Sequence, residues 1–162
     1  MDKPGGRIVV GLDDSVGGRA ALAHALHEAD HRGAVVEAVV VVDVPQYWAD
    51  VYAAPVLSAD GVAQVRAAAR RRMAAVVDEV RAAEAPTLGT SPHVELRVVG
   101  GAPTGALLDA AAGADLLVVG SRGRGRLARA MFGSVSLQVV LQARCPVTVV
   151  HPTAAAEPQP VG

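Results

Sequence analysis

Short apolar runs alternate along this chain with longer segments in which apolar residues recur every three or four positions. Continuous apolar runs are typical of strands that are covered on both faces, and the longer spacing is typical of amphipathic helices. The pattern predicts five strands, at residues 7–12, 34–44, 93–99, 115–119 and 147–150. It predicts four helices between them, at residues 15–32, at residues 59–83, from Pro103 onward and from Gly133-Ser134 onward.

This alternation of strands and helices indicates βαβ units and therefore a parallel sheet. Right-handed crossovers then favour an α/β fold with an open, doubly wound five-stranded sheet in the order 3-2-1-4-5 and helices on both faces. We expect one domain at residues 7–151, preceded by a disordered N-terminus at 1–6 and followed by a disordered, proline-containing tail at 152–162.

Composition narrows the classes of function. A net charge of −1 and 2% aromatic residues leave neither a charged footprint nor a stacking platform for nucleic acid. Cys145 is the only cysteine, so an internal disulfide is excluded, and we expect a small buried hydrophobe there. The polar first six residues and the shortness of every apolar run predict a cytoplasmic protein without a membrane partner.

Two glycine-containing segments are expected to meet where the strand order reverses, between strands one and four. Gly11, Leu12 and Asp13 leave strand one, and the segment from Gly120 to Arg126 leaves strand four and leads to the last helix. Glycines let backbone N–H groups approach phosphate oxygens, and a helix N-terminus attracts anions. Arg122, Arg124 and Arg126 in this segment, and Arg129 after it, add positive charge. Asp13 is placed to accept hydrogen bonds from a ribose.

The spacing Gly120-x2-Gly123-x9-Gly133-Ser134, followed by a short helix and a last strand, resembles the universal stress protein family. The strand that ends at Asp13 and the Gly101-Ala102-Pro103 turn resemble the same family, so the likeness covers about residues 7–151. The glycine-serine motif is its most specific part, because family members that do not bind ATP tend to lack it.

The resemblance implies a cytoplasmic homodimer of the stress-response type that binds ATP, and it leaves open whether Mg²⁺ accompanies the nucleotide. Asp13 would hold the ribose, and the end of strand two, near Asp43-Val44, would meet the adenine through backbone groups. AMP and cyclic AMP remain alternatives, because the same loop could hold one phosphate or three. The implied nucleotide-binding positions are Gly11, Leu12, Asp13, Val44, Gly120, Arg122, Gly123, Gly133, Ser134, Val135 and Ser136.

Two other constellations suggest different classes of site. His24, His27 and His31 share one face of the first helix, where we expect a solvated polar surface rather than a metal site. The pair Asp13-Asp14 is similar to the acidic pair of a phosphorylatable receiver domain. Such a domain also needs an aspartate after strand three and a lysine after strand five, where this chain has glycines and His151-Pro152.

An ATP-hydrolysing enzyme is the alternative of a different class. A pyrophosphatase-type enzyme would carry a Ser-Gly-Gly loop after strand one, but Asp13-Asp14-Ser15 stands there and Gly17-Gly18 fall inside the first helix. There is also no Walker A lysine and no defensible nucleophile–base pair. We therefore expect slow ATP hydrolysis at most.

The last strand is predicted to lie at an edge of the sheet, and its sequence Val-Thr-Val-Val carries no charge. Native proteins normally cover or charge such an edge. The same strand of a second copy, running antiparallel about a two-fold axis, is the simplest cover. We expect a homodimer that is joined through Val147, Val149 and Val150.

Overall fold

Five valine-rich strands form one parallel sheet in the computed structural model, which describes residues 5–43, 59–122 and 133–152. The strand order is β3-β2-β1-β4-β5, and every neighbouring pair is parallel. The predicted α/β fold and strand order are therefore confirmed. The strands are β1 (Arg7–Gly11), β2 (Val35–Val42), β3 (Val94–Gly100), β4 (Leu116–Gly120) and β5 (Val147–Val150).

The described residues form four α-helices, α1 (Val16–Arg32), α2 (Ala59–Glu84), α3 (Pro103–Ala110) and α4 (Ser134–Gln142). The Ser15 hydroxyl caps α1 by accepting a hydrogen bond from Gly18 N at 3.0 Å, and the helix stops at Gly33, whose φ is 64°. Pro103 occupies the first turn of α3, where its missing N–H costs no hydrogen bond. None of these helices is long and apolar enough to span a bilayer.

Side chains that alternate along the strands form two apolar layers. One layer joins Ile8 and Val10 of β1 to α1 and α2, and the other joins Val9 of β1 to α3 and α4. Cys145 is only half-buried and packs against the second layer.

The predicted bounds of the strands are close to those in the structure. β1 ends at Gly11 and β2 at Val42, one and two residues earlier than expected.

A carboxylate lies beside the second layer, near the start of β2. Glu37 is 7% exposed, and its two oxygens accept hydrogen bonds from Arg7 at 2.5 Å and Arg97 at 3.0 Å. Arg7 also donates to the carbonyls of Ala110 at 2.9 Å and Ala112 at 2.7 Å, which ties the end of α3 to the sheet. Burial acts to raise the pKa of Glu37, but the hydrogen bonds from the two arginines outweigh it and hold the pKa below 4.5.

Replacing Glu37 with Gln is expected to lower the free energy of unfolding by about 1.5–3 kcal/mol at neutral pH. Because the folded-state pKa is lowered, this contribution is present above the unfolded value of 4.5 and is lost as the pH falls through the folded-state pKa. Urea denaturation from pH 7 to pH 3 measures the effect, and the wild type and Glu37→Gln should converge at the acid end. Asp109→Asn, at an exposed position of α3, is the control and should change stability little. A constant gap between Glu37→Gln and the wild type at all pH values would contradict this account.

Candidate functional site

The start of α1 lies directly against the end of β4, with backbone touching backbone. A Cβ atom at Gly120 would lie 2.6 Å from the carbonyl carbon of Gly17, and one at Gly17 would lie 2.3 Å from the carbonyl oxygen of Arg122. Such distances are below any normal contact, so both positions require glycine. This contact brings the segment after β1 and the segment after β4 to the same place at the carboxyl edge of the sheet.

A cavity of about 830 Å³ opens at this edge. Its volume suits a small molecule or cofactor. Its lining comes from the ends of three strands and the starts or faces of four helices. The lining residues are Gly11, Leu12, Asp13 and Gly18 from β1 to α1; Val39 to Asp43 at the end of β2; Ala68, Ala69, Arg72 and Met73 of α2; Pro103 and Leu107 of α3; and Val119, Gly120, Arg122, Gly133, Ser134, Val135 and Ser136 around β4 and α4. Nine of the eleven predicted site residues thus line one cavity, and their role as nucleotide ligands stays a prediction. Val44 and Gly123 lie outside the described residues.

The N-terminus of α4 faces this cavity with its backbone donors uncapped. Gly133 is the N-cap residue and provides no capping side chain. The first backbone hydrogen bond of the helix runs from Leu137 N to Gly133 O at 3.1 Å. The N–H groups of Ser134, Val135 and Ser136 precede that bond, so they have no acceptor within the helix. Together with the helix dipole, they form an arrangement that favours an anion.

Ser136 contributes through its backbone rather than through its hydroxyl. The Ser136 hydroxyl is buried and donates towards the carbonyls of Ser121 at 3.1 Å and Gly133 at 3.0 Å. Gly133 N also donates to Ser121 O at 2.7 Å, so the start of α4 is fixed to the end of β4. The Ser134 residue is exposed, so its hydroxyl is the one that remains accessible to a ligand.

Asp13 is held by the turn that begins α1. Its Oδ1 accepts hydrogen bonds from Ser15 N at 3.2 Å and from the Ser15 hydroxyl. Gly18 lies directly above this carboxylate, since a Cβ there would lie 2.3 Å from Asp13 Oδ1. These bonds fix the orientation of Asp13 at the cavity and engage one of its two oxygens.

The neighbouring Asp14 binds arginines on two helices. Its Oδ1 accepts from Arg19 Nε at 3.0 Å, and its Oδ2 accepts from Arg72 Nη2 at 2.8 Å. The hydrogen bonds from Arg72 and then Arg19 hold the pKa of Asp14 below its usual range. The two acidic residues therefore have separate partners rather than a shared site. No cluster of three or more metal-ligating side chains occurs within the described parts of the chain.

Val41 is a cavity residue that the sequence interpretation missed. β1 pairs with β2 only as far as Gly11 opposite Val39, and the last hydrogen bond between them runs from Leu12 N to Val39 O at 2.9 Å. In a parallel ladder, alternate residues face the same neighbouring strand. Val41 is thus the next residue whose backbone faces the β1 side, at a level where β1 has ended.

The sequence predicted a solvated face for the three histidines of α1, but the structure shows that they differ in exposure and in partners. His27 is half-buried, and its Nε2 lies 2.8 Å from Glu84 Oε2 at the end of α2. His24 lies 3.9 Å from Glu28, while His31 is exposed. His27 therefore belongs to the contact between α1 and α2.

The fold is that of a doubly wound α/β protein. Its cavity lies where the strand order reverses and has features that favour an anion. The model of the universal stress protein family matches residues 6–151, and the chain belongs to that family. A universal stress protein of Mycobacterium tuberculosis H37Rv is 34% identical over 153 residues, which cover 94% of this chain and 51% of that protein. One from Thermus aquaticus is 42% identical over 76 residues, covering 46% of this chain and 55% of that protein. The chain spans about half or less of the length of the curated relatives it matches.

Solved structures show the same fold. The universal stress protein UspA from Lactobacillus plantarum is 26% identical, with a TM-score of 0.63 and coverage of 92% of this chain and 99% of that one. A universal stress protein from Archaeoglobus fulgidus in complex with dAMP is 25% identical, with a TM-score of 0.57 and coverage of 91% and 98%. A universal stress protein in complex with cAMP is 24% identical, with a TM-score of 0.59 and coverage of 93% and 100%.

Replacing Gly120 with Ala is expected to separate the start of α1 from β4 and to destabilise the fold by about 1–3 kcal/mol, the usual cost of overpacking. The matched control is Gly105→Ala on α3, where an added Cβ meets nothing within 4 Å. That change should leave stability equal or raise it by about 0.5–1 kcal/mol, because alanine is the better helix former. Thermal and urea unfolding compare the two variants, and equal stability of both would show that the close backbone contact is not required.

Proposed function

We propose that this chain binds ATP in the cavity at the carboxyl edge of its sheet and serves as a nucleotide-dependent regulatory protein of the cytoplasmic stress response. The observation that carries the proposal is the convergence on one cavity of an uncapped helix N-terminus, an arginine and a fixed carboxylate. These are the N-terminus of α4, Arg122 and Asp13. They match the phosphate and ribose portions of a nucleotide.

The phosphates are assigned to the α4 side of the cavity. Backbone N–H groups at Ser134, Val135 and Ser136 donate to phosphate oxygens, and the helix dipole adds partial positive charge. Arg122 is exposed beside them and supplies a planar set of donors that suits phosphate. Gly123 and the further arginines of the loop are proposed to extend this site.

The adenosine portion is assigned to the ends of β1 and β2. Asp13 accepts hydrogen bonds from the ribose hydroxyls, with its orientation set by Ser15. The backbone of Val41 offers an N–H donor and a carbonyl acceptor side by side, which match the adenine N1 and the adenine amino group. The register of β2 thus favours Val41 over the predicted Val44 as the contact with the base.

The Archaeoglobus fulgidus relative in complex with dAMP supports an adenine nucleotide as the ligand class. We favour ATP over AMP or cyclic AMP because the free amides at the start of α4 and the guanidinium of Arg122 together can donate hydrogen bonds to more than one phosphate group. Mg²⁺ usually binds through substrate phosphates and one or two carboxylates, and both Asp13 and Asp43 line the cavity. ATP hydrolysis by this site is expected to be far slower than the ~10 per second of a dedicated enzyme.

Mass spectrometry of the ligand released from heat-denatured protein, followed by calorimetry with ATP, AMP and cyclic AMP, tests the proposal. We expect ATP to bind most tightly and to be recovered unhydrolysed. Arg122→Gln should weaken ATP binding about tenfold or more, because a charge-assisted hydrogen bond is lost. Arg144→Gln, at an exposed position after α4 that does not line the cavity, is the matched control. Absence of adenine-nucleotide binding by the wild type would refute the proposed function.

We also propose that the chain forms a homodimer through β5. β5 is an edge strand, and its residues are only partly buried in the single chain. The helix that packs on this side of the sheet exposes further apolar surface at Leu137, Val140 and Leu141, which are 45%, 46% and 69% exposed. An unpaired edge beside exposed aliphatic side chains is typical of a surface that a second copy covers.

Light scattering of the chain at micromolar concentration is expected to give the mass of a dimer. Val149→Lys on β5 and Leu141→Lys on α4 should each shift the equilibrium to monomer, because a charge would be buried at the interface. Val65→Lys, at a partly exposed position of α2, is the matched control and should remain dimeric. A wild-type monomer would contradict the proposal, and dimers in both interface variants would place the interface elsewhere.

A further inference from the structure

Arg72 is the charged side chain that α2 contributes to the cavity. The other α2 residues that line this side are Ala68, Ala69 and Met73. Met73 is buried and the two alanines are short, while the Arg72 side chain is 63% exposed. A long, exposed guanidinium from α2 therefore lines the same cavity as Arg122 and the start of α4.

Arg72 shares its carboxylate partner with a second arginine. Both Nε and Nη2 of Arg72 contact Asp14 Oδ2, at 3.2 and 2.8 Å. The other oxygen, Asp14 Oδ1, is bound by Arg19 at 3.0 Å from Nε and 2.9 Å from Nη2. One carboxylate thus has two guanidinium groups, each on its own oxygen.

The two arginines differ in how firmly they are held. Arg19 also donates to Glu79 at 2.8 Å, and its side chain is 37% exposed. The Arg72 side chain is 63% exposed, and Asp14 is its hydrogen-bond partner among the described residues. If Arg72 turned away, Asp14 would keep Arg19 as its counter-ion and would not be left as an uncompensated charge.

We propose that Arg72 contacts a phosphate of the bound nucleotide, exchanging the Asp14 carboxylate for a phosphate oxygen; this inference rests on the function proposed above. A guanidinium that leaves a carboxylate needs another anion in its place, and adenine and ribose are both neutral. Arginine binds phosphate through strong charge-assisted hydrogen bonds. Arg72 and Arg122 then hold the phosphates from two sides, one from α2 and one from the end of β4.

Two variants that break the same ion pair distinguish a ligand contact from a structural role. Arg72→Gln is expected to weaken the binding of ATP and AMP about tenfold, because one phosphate contact is lost. Asp14→Asn is expected to tighten ATP binding severalfold, because Arg72 no longer has a competing carboxylate. Adenosine, which lacks phosphate, should bind to Arg72→Gln with wild-type affinity. Calorimetry at low and moderate salt measures all three affinities, and circular dichroism verifies that each variant is folded.

Arg71→Gln is the matched control, since Arg71 is an exposed neighbour on α2 that does not line the cavity. Its affinity for ATP should equal that of the wild type. Equal weakening by Arg72→Gln and Asp14→Asn would show that the ion pair acts through structure alone and would overturn the inference. Wild-type ATP affinity in Arg72→Gln would overturn it as well while leaving the proposed function intact, whereas a wild type that binds no adenine nucleotide would overturn both.

Discussion

The site depends on one close approach of two backbones, the start of α1 and the end of β4. Neither Gly17 nor Gly120 can accommodate a Cβ atom, because each would place it within 3 Å of backbone atoms of the opposite segment. The contact sets the position of the turn that contains Asp13 relative to Arg122 after β4. Gly18 adds a second close approach, above the Asp13 carboxylate. Three glycines thereby bring the carboxylate and the N-terminus of α4 to one cavity.

Glu37 and Asp14 each bind two arginines. One of these carboxylates is buried and the other lies near the cavity, so the two ion-pair clusters serve different purposes. Glu37 is buried in the sheet, and one of its partners, Arg7, also binds carbonyl groups at the end of α3. That cluster joins β2 to β1, β3 and the end of α3, so it contributes to the stability of the fold. Asp14 follows the cavity residue Asp13 in the chain, and its partner Arg72 lines the cavity and is largely exposed. The exposure of Arg72 is what allows the proposed exchange of this carboxylate for a phosphate of the ligand.

Strand order, element types and the position of the glycine-serine segment were predictable, because they follow from apolar periodicity and from the handedness of βαβ crossovers. The level at which β2 extends beyond β1 was not predictable, because the apolar run of β2 continues past the point where its pairing with β1 stops. The end of β1 sets that point. The sequence interpretation therefore expected the adenine contact near Val44, and the register of β2 is the reason that Val41 is proposed instead. The Arg72–Asp14 and His27–Glu84 contacts join residues more than fifty positions apart. On the sequence alone, these side chains resemble ordinary solvated residues of amphipathic helices.

The central claim is that the cavity beside α4 binds an adenine nucleotide through backbone groups of α4 and β2. Amide chemical shifts recorded by NMR during titration with ATP test it most directly, because they report on these backbone groups individually. The account predicts saturable changes that are largest at Ser134, Val135, Ser136 and Val41. Changes concentrated instead at the smaller cavity of about 350 Å³ near Asp78 and Arg81, or no saturable change at all, would contradict it.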